Sequence, residues 1–100
     1  LETGLGMGAT LNIAAGKNAY TVTDRATWIS FRNKSDLDIL FEGHPALFNQ
    51  YGIIVIDKNF CPNVNISDAE KFVKWLISEK GQEIIDSFRL GNEQLFFRSN

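Results

Sequence analysis

The spacing of apolar and polar residues changes several times along the chain, and each change predicts an element. Small and apolar residues run from Met7 to Ala15 without a charge, following Gly4, Gly6 and Gly8 at alternate positions. This predicts a helix opened by a glycine turn and stopped at Gly16, with Lys17 well placed against the helix dipole. Ala19-Tyr20-Thr21-Val22-Thr23 is β-branched and aromatic and predicts a strand, after which Asp24 can cap a short helix from Arg25 to Arg32. Asn33 to Asp36 reads as a turn, and Leu37 to Glu42 as a second strand broken by Gly43-His44-Pro45. Tyr51 to Ile56 is almost continuously apolar, as expected of a strand covered on both faces.

The second half is more helical. Asp57 to Asn65 is a loop, and Ser67-Asp68-Ala69-Glu70 has the form of a capping box. The helix after it places Ala69, Phe72, Val73, Leu76 and Ile77 on one face. Ser78 to Gln82 interrupts, a shorter helix carries Ile84, Ile85 and Phe88, and Leu95-Phe96-Phe97 is too apolar for a free tail. Alternating strands and helices predict an α/β fold without internal repeats. Residues 43–50 hold no sustained period and are the best candidate for a crossing between two lobes.

Composition narrows the function. Ten Lys and Arg, scattered along the chain, face twelve Asp and Glu, for a net charge of -2, so no basic surplus exists to bind nucleic acid. Cys61 is the one cysteine and His44 the one histidine, which supports neither an internal disulfide, nor a zinc site, nor a cysteine-histidine catalytic pair. No apolar run reaches the length of a membrane span. The opening Leu1-Glu2-Thr3-Gly4 resembles neither a signal peptide nor a natural start, so the expectation is a chain that begins inside a longer protein.

The chemistry concentrates at the glycine turn. Helical N–H groups in a first turn have no partner within the helix, and with the positive end of the dipole they form a site for a small anion. The same stretch also reads as a flexible entry loop with Leu11, Ile13 and Ala14 in a core. Gly4-x-Gly6-x-x-Ala9 meets the looser dinucleotide fingerprint, but no strand precedes it and no acidic residue follows at the proper distance, so no nucleotide cofactor is expected. Thr10, Thr21 and Thr23 could bring hydroxyls to one anion if the helix and the next strand lie side by side, although threonine is also simply a good strand former.

The stretch from Glu2 to Ala15, then Ala19 to Trp28, then Leu47-Phe48-Asn49-Gln50-Tyr51-Gly52 resembles the periplasmic tungstate-binding proteins of bacterial ABC importers. Phe72 to Gln82 extends the likeness, being similar to the helix, serine, Gly-Gln, helix ending of many periplasmic solute-binding proteins. The resemblance implies a periplasmic-binding-protein-like α/β fold in which mixed sheets flanked by helices form two lobes, with the ligand between them. Family members are considerably longer, so the chain resembles their C-terminal part. Residues 1–46 would be the C-terminal half of the second lobe and residues 47–100 the segment that returns to the first lobe, with the C-terminal helices.

By the same resemblance the ligand is tungstate or molybdate, with no cofactor and no metal-ligating side chain. Met7 and Gly8 would offer backbone donors with Thr10 nearby, and Thr21, before Thr23-Asp24, would reach the ligand from the strand; the helix start adds Ala9 and the strand end Thr23 as further candidates. Molybdate-binding relatives usually carry a tyrosine at the strand position, where this chain has Thr21 with Tyr20 beside it. Recognition would use neutral donors without compensating charge, and a site without acceptors would reject protonated oxyanions. The implied partners are a membrane permease of the ABC type and either the missing N-terminal segment of the same protein or a second copy of the chain. The implied location is periplasmic or extracytoplasmic, with or without a lipid anchor. Two other classes share parts of this pattern: the effector-binding domain of a bacterial transcription regulator, which has the same fold, and an anion-processing enzyme, although no catalytic motif occurs.

Overall fold

A computed structural model describes residues 1–98. The glycine-opened segment is helical over α1 (Met7–Lys17), with Gly6 in an extended conformation at its start. It runs two residues beyond the expected Ala15 and passes through Gly16, because the left-handed residue that ends it is Asn18 at φ 51°. The Ala19 N–H donates to the Ala14 carbonyl at 2.9 Å and the Asn18 N–H to Ala15 at 3.4 Å, which satisfies the last carbonyls as a Schellman motif does. Asparagine tolerates this conformation better than most non-glycine residues. Of the three glycines in the opening turn, only Gly4 takes a positive φ, at 63°.

Asp24 caps α2 (Arg25–Ser30) as expected, its carboxylate accepting from the Thr27 N–H at 2.9 Å and from the Thr27 hydroxyl. The helix ends at Ser30, short of Arg32, and the turn at 33–36 closes with Leu37 donating to the Lys34 carbonyl at 2.8 Å. The Asn12 amide accepts from Asn33 at 3.0 Å and ties this turn to α1. Residues 43–50 contain a single 3-10 turn, Pro45–Leu47, whose first amide is capped by His44 Nδ1 at 3.1 Å.

The three expected strands at 19–23, 37–42 and 51–56 form no ladder among the described residues. The physical reason is that a strand is stable only through the backbone partners beside it, and no described segment pairs its backbone with these three in a ladder. Their apolar side chains remain in the open: Ile54 is 88% exposed and Leu40 75%. Among the described residues the buried apolar side chains are Leu11 and Ala14, both on α1.

The C-terminal half carries two helices. α3 (Ile66–Ile77) starts at Asn65, two residues before the expected Ser67 cap. Asn65 wins because its side chain both accepts from the Asp68 N–H at 3.1 Å and donates to the Asp68 carboxylate at 2.8 Å. α4 (Glu79–Ser87) follows after one residue only, so the expected interruption over 78–82 shrinks to Ser78. Ser78 Oγ donates to the Trp75 carbonyl at 2.5 Å and accepts from the Gly81 N–H at 3.2 Å. Gln82 donates to the Leu76 carbonyl at 2.8 Å. Gly81 is required by close approach: a Cβ there would stand 2.1 Å from the Trp75 carbonyl oxygen.

A short antiparallel hairpin, β1 (Arg89–Leu90) and β2 (Glu93–Gln94), ends the fold and was not legible as strands. Its two-residue turn is Gly91-Asn92, with Gly91 at φ 62° as tight hairpins of this length demand. Asp86 Oδ1 accepts from the Gln94 side chain at 3.0 Å and the Arg98 N–H at 3.1 Å, folding the hairpin and tail back onto α4. Arg98 also donates to Glu79 at 2.9 Å, and that hydrogen bond holds its guanidinium protonated above the usual range. The apolar tail is anchored in part, Phe96 meeting Tyr51 edge to face at 5.8 Å.

The radius of gyration is 17.5 Å, against about 13 Å for a compact 100-residue domain. The chain exposes 8342 Å² of surface, where a folded monomer of its mass would expose about 5,700 Å². These residues therefore assemble secondary structure around a very small core and leave broad apolar faces uncovered.

Candidate functional site

The start of α1 leaves backbone donors without a partner in the helix. The first backbone bond of the helix runs from the Thr10 N–H to the Gly6 carbonyl at 3.0 Å. The N–H groups of Met7, Gly8 and Ala9 precede it and find no acceptor among the described residues. No acidic residue lies in the first turn and Gly6 has no side chain with which to cap it, so neither offsets the positive end of the dipole. A Cβ at Gly6 or Gly8 would meet nothing within 4 Å, so the turn is open to an incoming group.

A residue that sequence reasoning passed over completes this corner. The Thr3 hydroxyl lies 2.9 Å from the Thr10 hydroxyl and accepts from the Leu5 N–H at 3.3 Å. A hydroxyl has one proton, so the pair uses one of its two in the mutual bond and retains one for a ligand. The signal was present as a threonine two residues before a backbone amide that it can bind, the usual threonine turn.

The other two expected ligand residues stand apart. Thr21 is exposed and its hydroxyl donates to the Val22 carbonyl at 3.4 Å; Thr23 is half-buried and donates to Asp24 at 3.1 Å. Among the described residues no hydrogen bond joins either to the start of α1. The structure thus brings Met7, Gly8, Ala9 and Thr10 together on one turn and leaves Thr21 and Thr23 on the following extended segment.

Elsewhere the surface offers different chemistry. A groove between residues 53–56 and α3 is walled by Ile53, Ile56, Ala69 and Phe72 and has no array of donors for an anion. Cys61 is exposed and free, and no group of three or more His, Cys, Asp or Glu is placed to hold a metal among the described residues. No described helix is long and apolar enough to cross a membrane.

The helix start is thus a place that offers neutral backbone donors and no charge. Residues 1–80 match the PBP superfamily domain, and the chain belongs to that family. Similar curated proteins carry more specific names. The tungstate-binding protein TupA of Peptoclostridium acidaminophilum is 39% identical over 88 residues, covering 88% of this chain and 31% of the relative. TupA of Campylobacter jejuni is 38% identical over 99 residues, covering 95% and 37%. A putative ABC transporter anion-binding protein of Haloferax volcanii is 39% identical over 101 residues, covering 96% and 30%. The chain thus spans about a third of the length of the curated relatives it matches. Their names are those of binding proteins and not of enzymes. No solved structure matches.

Proposed function

We propose that this chain is part of a solute-binding protein that captures tungstate, or its close analogue molybdate, and delivers it to an ABC permease from an extracytoplasmic location. The observation that carries the reading is the set of three unpartnered N–H groups at Met7, Gly8 and Ala9 on an uncharged helix start. The names of the tungstate-binding relatives support the choice of anion. In this reading Thr10, with Thr3 behind it, adds a hydroxyl proton, and Thr21 and Thr23 supply hydroxyls from the next segment once it is ordered as a strand.

Residues 1–46 then belong to one lobe and residues 47–100 return to the other, with the extended segments at 19–23, 37–42 and 51–56 pairing into mixed sheets with further chain. The uncovered apolar faces favour such completion, either by another segment of the same protein or by a second copy. Closure of the lobes would exclude water and raise the worth of each donor. A site of N–H groups and hydroxyls without a carboxylate prefers a fully deprotonated dianion, because an oxyanion that keeps its proton finds no charged acceptor for it.

Met7→Pro in the full-length protein is the direct test. Proline suits the first helical position and Gly6 before it is already extended, so the substitution deletes one donor with little cost to the helix. One lost charge-assisted bond is worth about 1.5–3 kcal/mol, so tungstate binding followed by calorimetry should weaken by about 10- to 100-fold, while Met7→Leu stays near the parent. Equal affinities for the two variants would sink the site.

A further inference from the structure

The first residue of α2 makes more of the long-range contacts than any threonine expected at the site. Arg25 Nε donates to the Gln94 carbonyl at 2.7 Å and its Nη2 to the Glu93 carboxylate at 3.2 Å. Its Nη1 approaches Glu42 at 3.9 Å, and the guanidinium lies over the Phe97 ring at 5.9 Å from the centroid. One planar fork therefore grips two successive residues of β2 and reaches the extended segment that ends at Glu42. The geometry suits arginine and no other cation, since an ammonium cannot present two donors in a fixed plane.

The position of this fork in the chain is what gives it consequence. Arg25 follows Asp24, the cap of α2, and Thr23, whose hydroxyl is already bonded to Asp24. Once residues 19–23 pair as a strand, the point where α2 begins fixes their register, because a slip of one residue turns every side chain of a strand to the other face. We propose that Arg25 is a positioning residue for the oxyanion site: by clamping α2 to the C-terminal hairpin it holds Thr21 and Thr23 in place, and so couples the hairpin to ligand binding. The proposal rests on the oxyanion reading above and on the division of the chain at residue 46. Under that division the fork joins the two segments, and hairpin release and lobe opening become one event. Glu93 is a surface carboxylate whose ion pair alone is worth little, so the carbonyl bond and the ring contact carry most of the clamp.

The test uses the full-length protein, with tungstate as the probe. Arg25→Met should weaken tungstate binding about tenfold, Arg25→Lys by less, and Glu93→Gln by about two- to threefold. Hydrogen exchange without ligand should show the amides of 25–31 and of 89–97 accelerating together in Arg25→Met. A clamp that serves stability alone would lower the melting temperature and leave tungstate affinity at the parental value, and that result overturns the proposal. Should Arg25→Met fail to fold, parental affinity in Glu93→Gln and Arg25→Lys together overturns it equally. A parent that binds no tungstate would sink the oxyanion reading and with it the positioning role. Coupled exchange would in that event reduce Arg25 to a clamp between the hairpin and α2.

Discussion

α1 and the extended stretch from 37 to 56 have comparable apolar content and opposite fates. In α1 the backbone bonds to itself, Asn18 closes the C-terminal end, and Leu11 is 1% exposed. In the extended stretch Leu40, Phe48 and Ile54 face outward at 75%, 76% and 88%, and no ladder forms among the described residues. The difference lies in where the hydrogen-bond partner resides. A helix finds its partner four residues away, whereas a strand must be met by chain from elsewhere. Apolar sequence alone therefore decides burial only when the backbone can be satisfied first.

The comparison can be broken at its strong end. Leu11→Ala removes the largest fully buried side chain and should cost about 2–5 kcal/mol in urea unfolding of the full-length protein. A cost below ~1 kcal/mol would show that α1 does not anchor the fold. The close crossing of α3 and α4 gives the next effect. Gly81→Ala drives a methyl toward the Trp75 carbonyl and should cost about 1–3 kcal/mol, visible as a lower urea midpoint.

The extended side of the comparison yields smaller effects. Thr21→Val should weaken tungstate binding about tenfold, the worth of one hydroxyl contact to an anion, with stability unchanged. If Thr23→Val alone has that effect, the cleft-facing register of residues 19–23 is shifted. Ile54→Ala sharpens the comparison most directly. In these 100 residues alone it should change stability by no more than about 0.5 kcal/mol, as surface substitutions do. In the full-length protein, with a strand at 51–56 covered on both faces, the same change should cost about 2 kcal/mol or more.

What the sequence made legible follows the same division. The helices were readable because their signals are local: Asp24 before α2, and the face of Ala69, Val73 and Leu76 in α3, although Phe72 and Ile77, expected on that face, stand exposed at 57% and 65%. Their limits slipped where two residues compete for one role, as Asn65 did with Ser67 and Asn18 with Gly16. Residues 19–23, 37–42 and 51–56 read as strands because side-chain type reports the surface a strand wants, not whether its partner is at hand. The hairpin at 89–94 was missed because only its Gly91-Asn92 turn is distinctive and each strand is two residues long. At the site, Met7 to Thr10 were legible from the glycine turn and the helix after it. Thr3 carried a local signal in its turn with Leu5, but its bond to Thr10 spans seven residues, and the partners of Arg25 lie 68 and 69 residues further along the chain.

Ser78 carries a consequence for how the molecule comes apart. Its hydroxyl serves the last turn of α3 and the first turn of α4 at once, and Gln82 reaches back across the corner to Leu76. Neither helix can fray at that junction without uncapping the other, so the two should open as a single cooperative unit. Amide exchange on the two sides of Ser78 should share one opening free energy. Ser78→Ala should split it in two, turning a rigid elbow into a pair of independently melting rods.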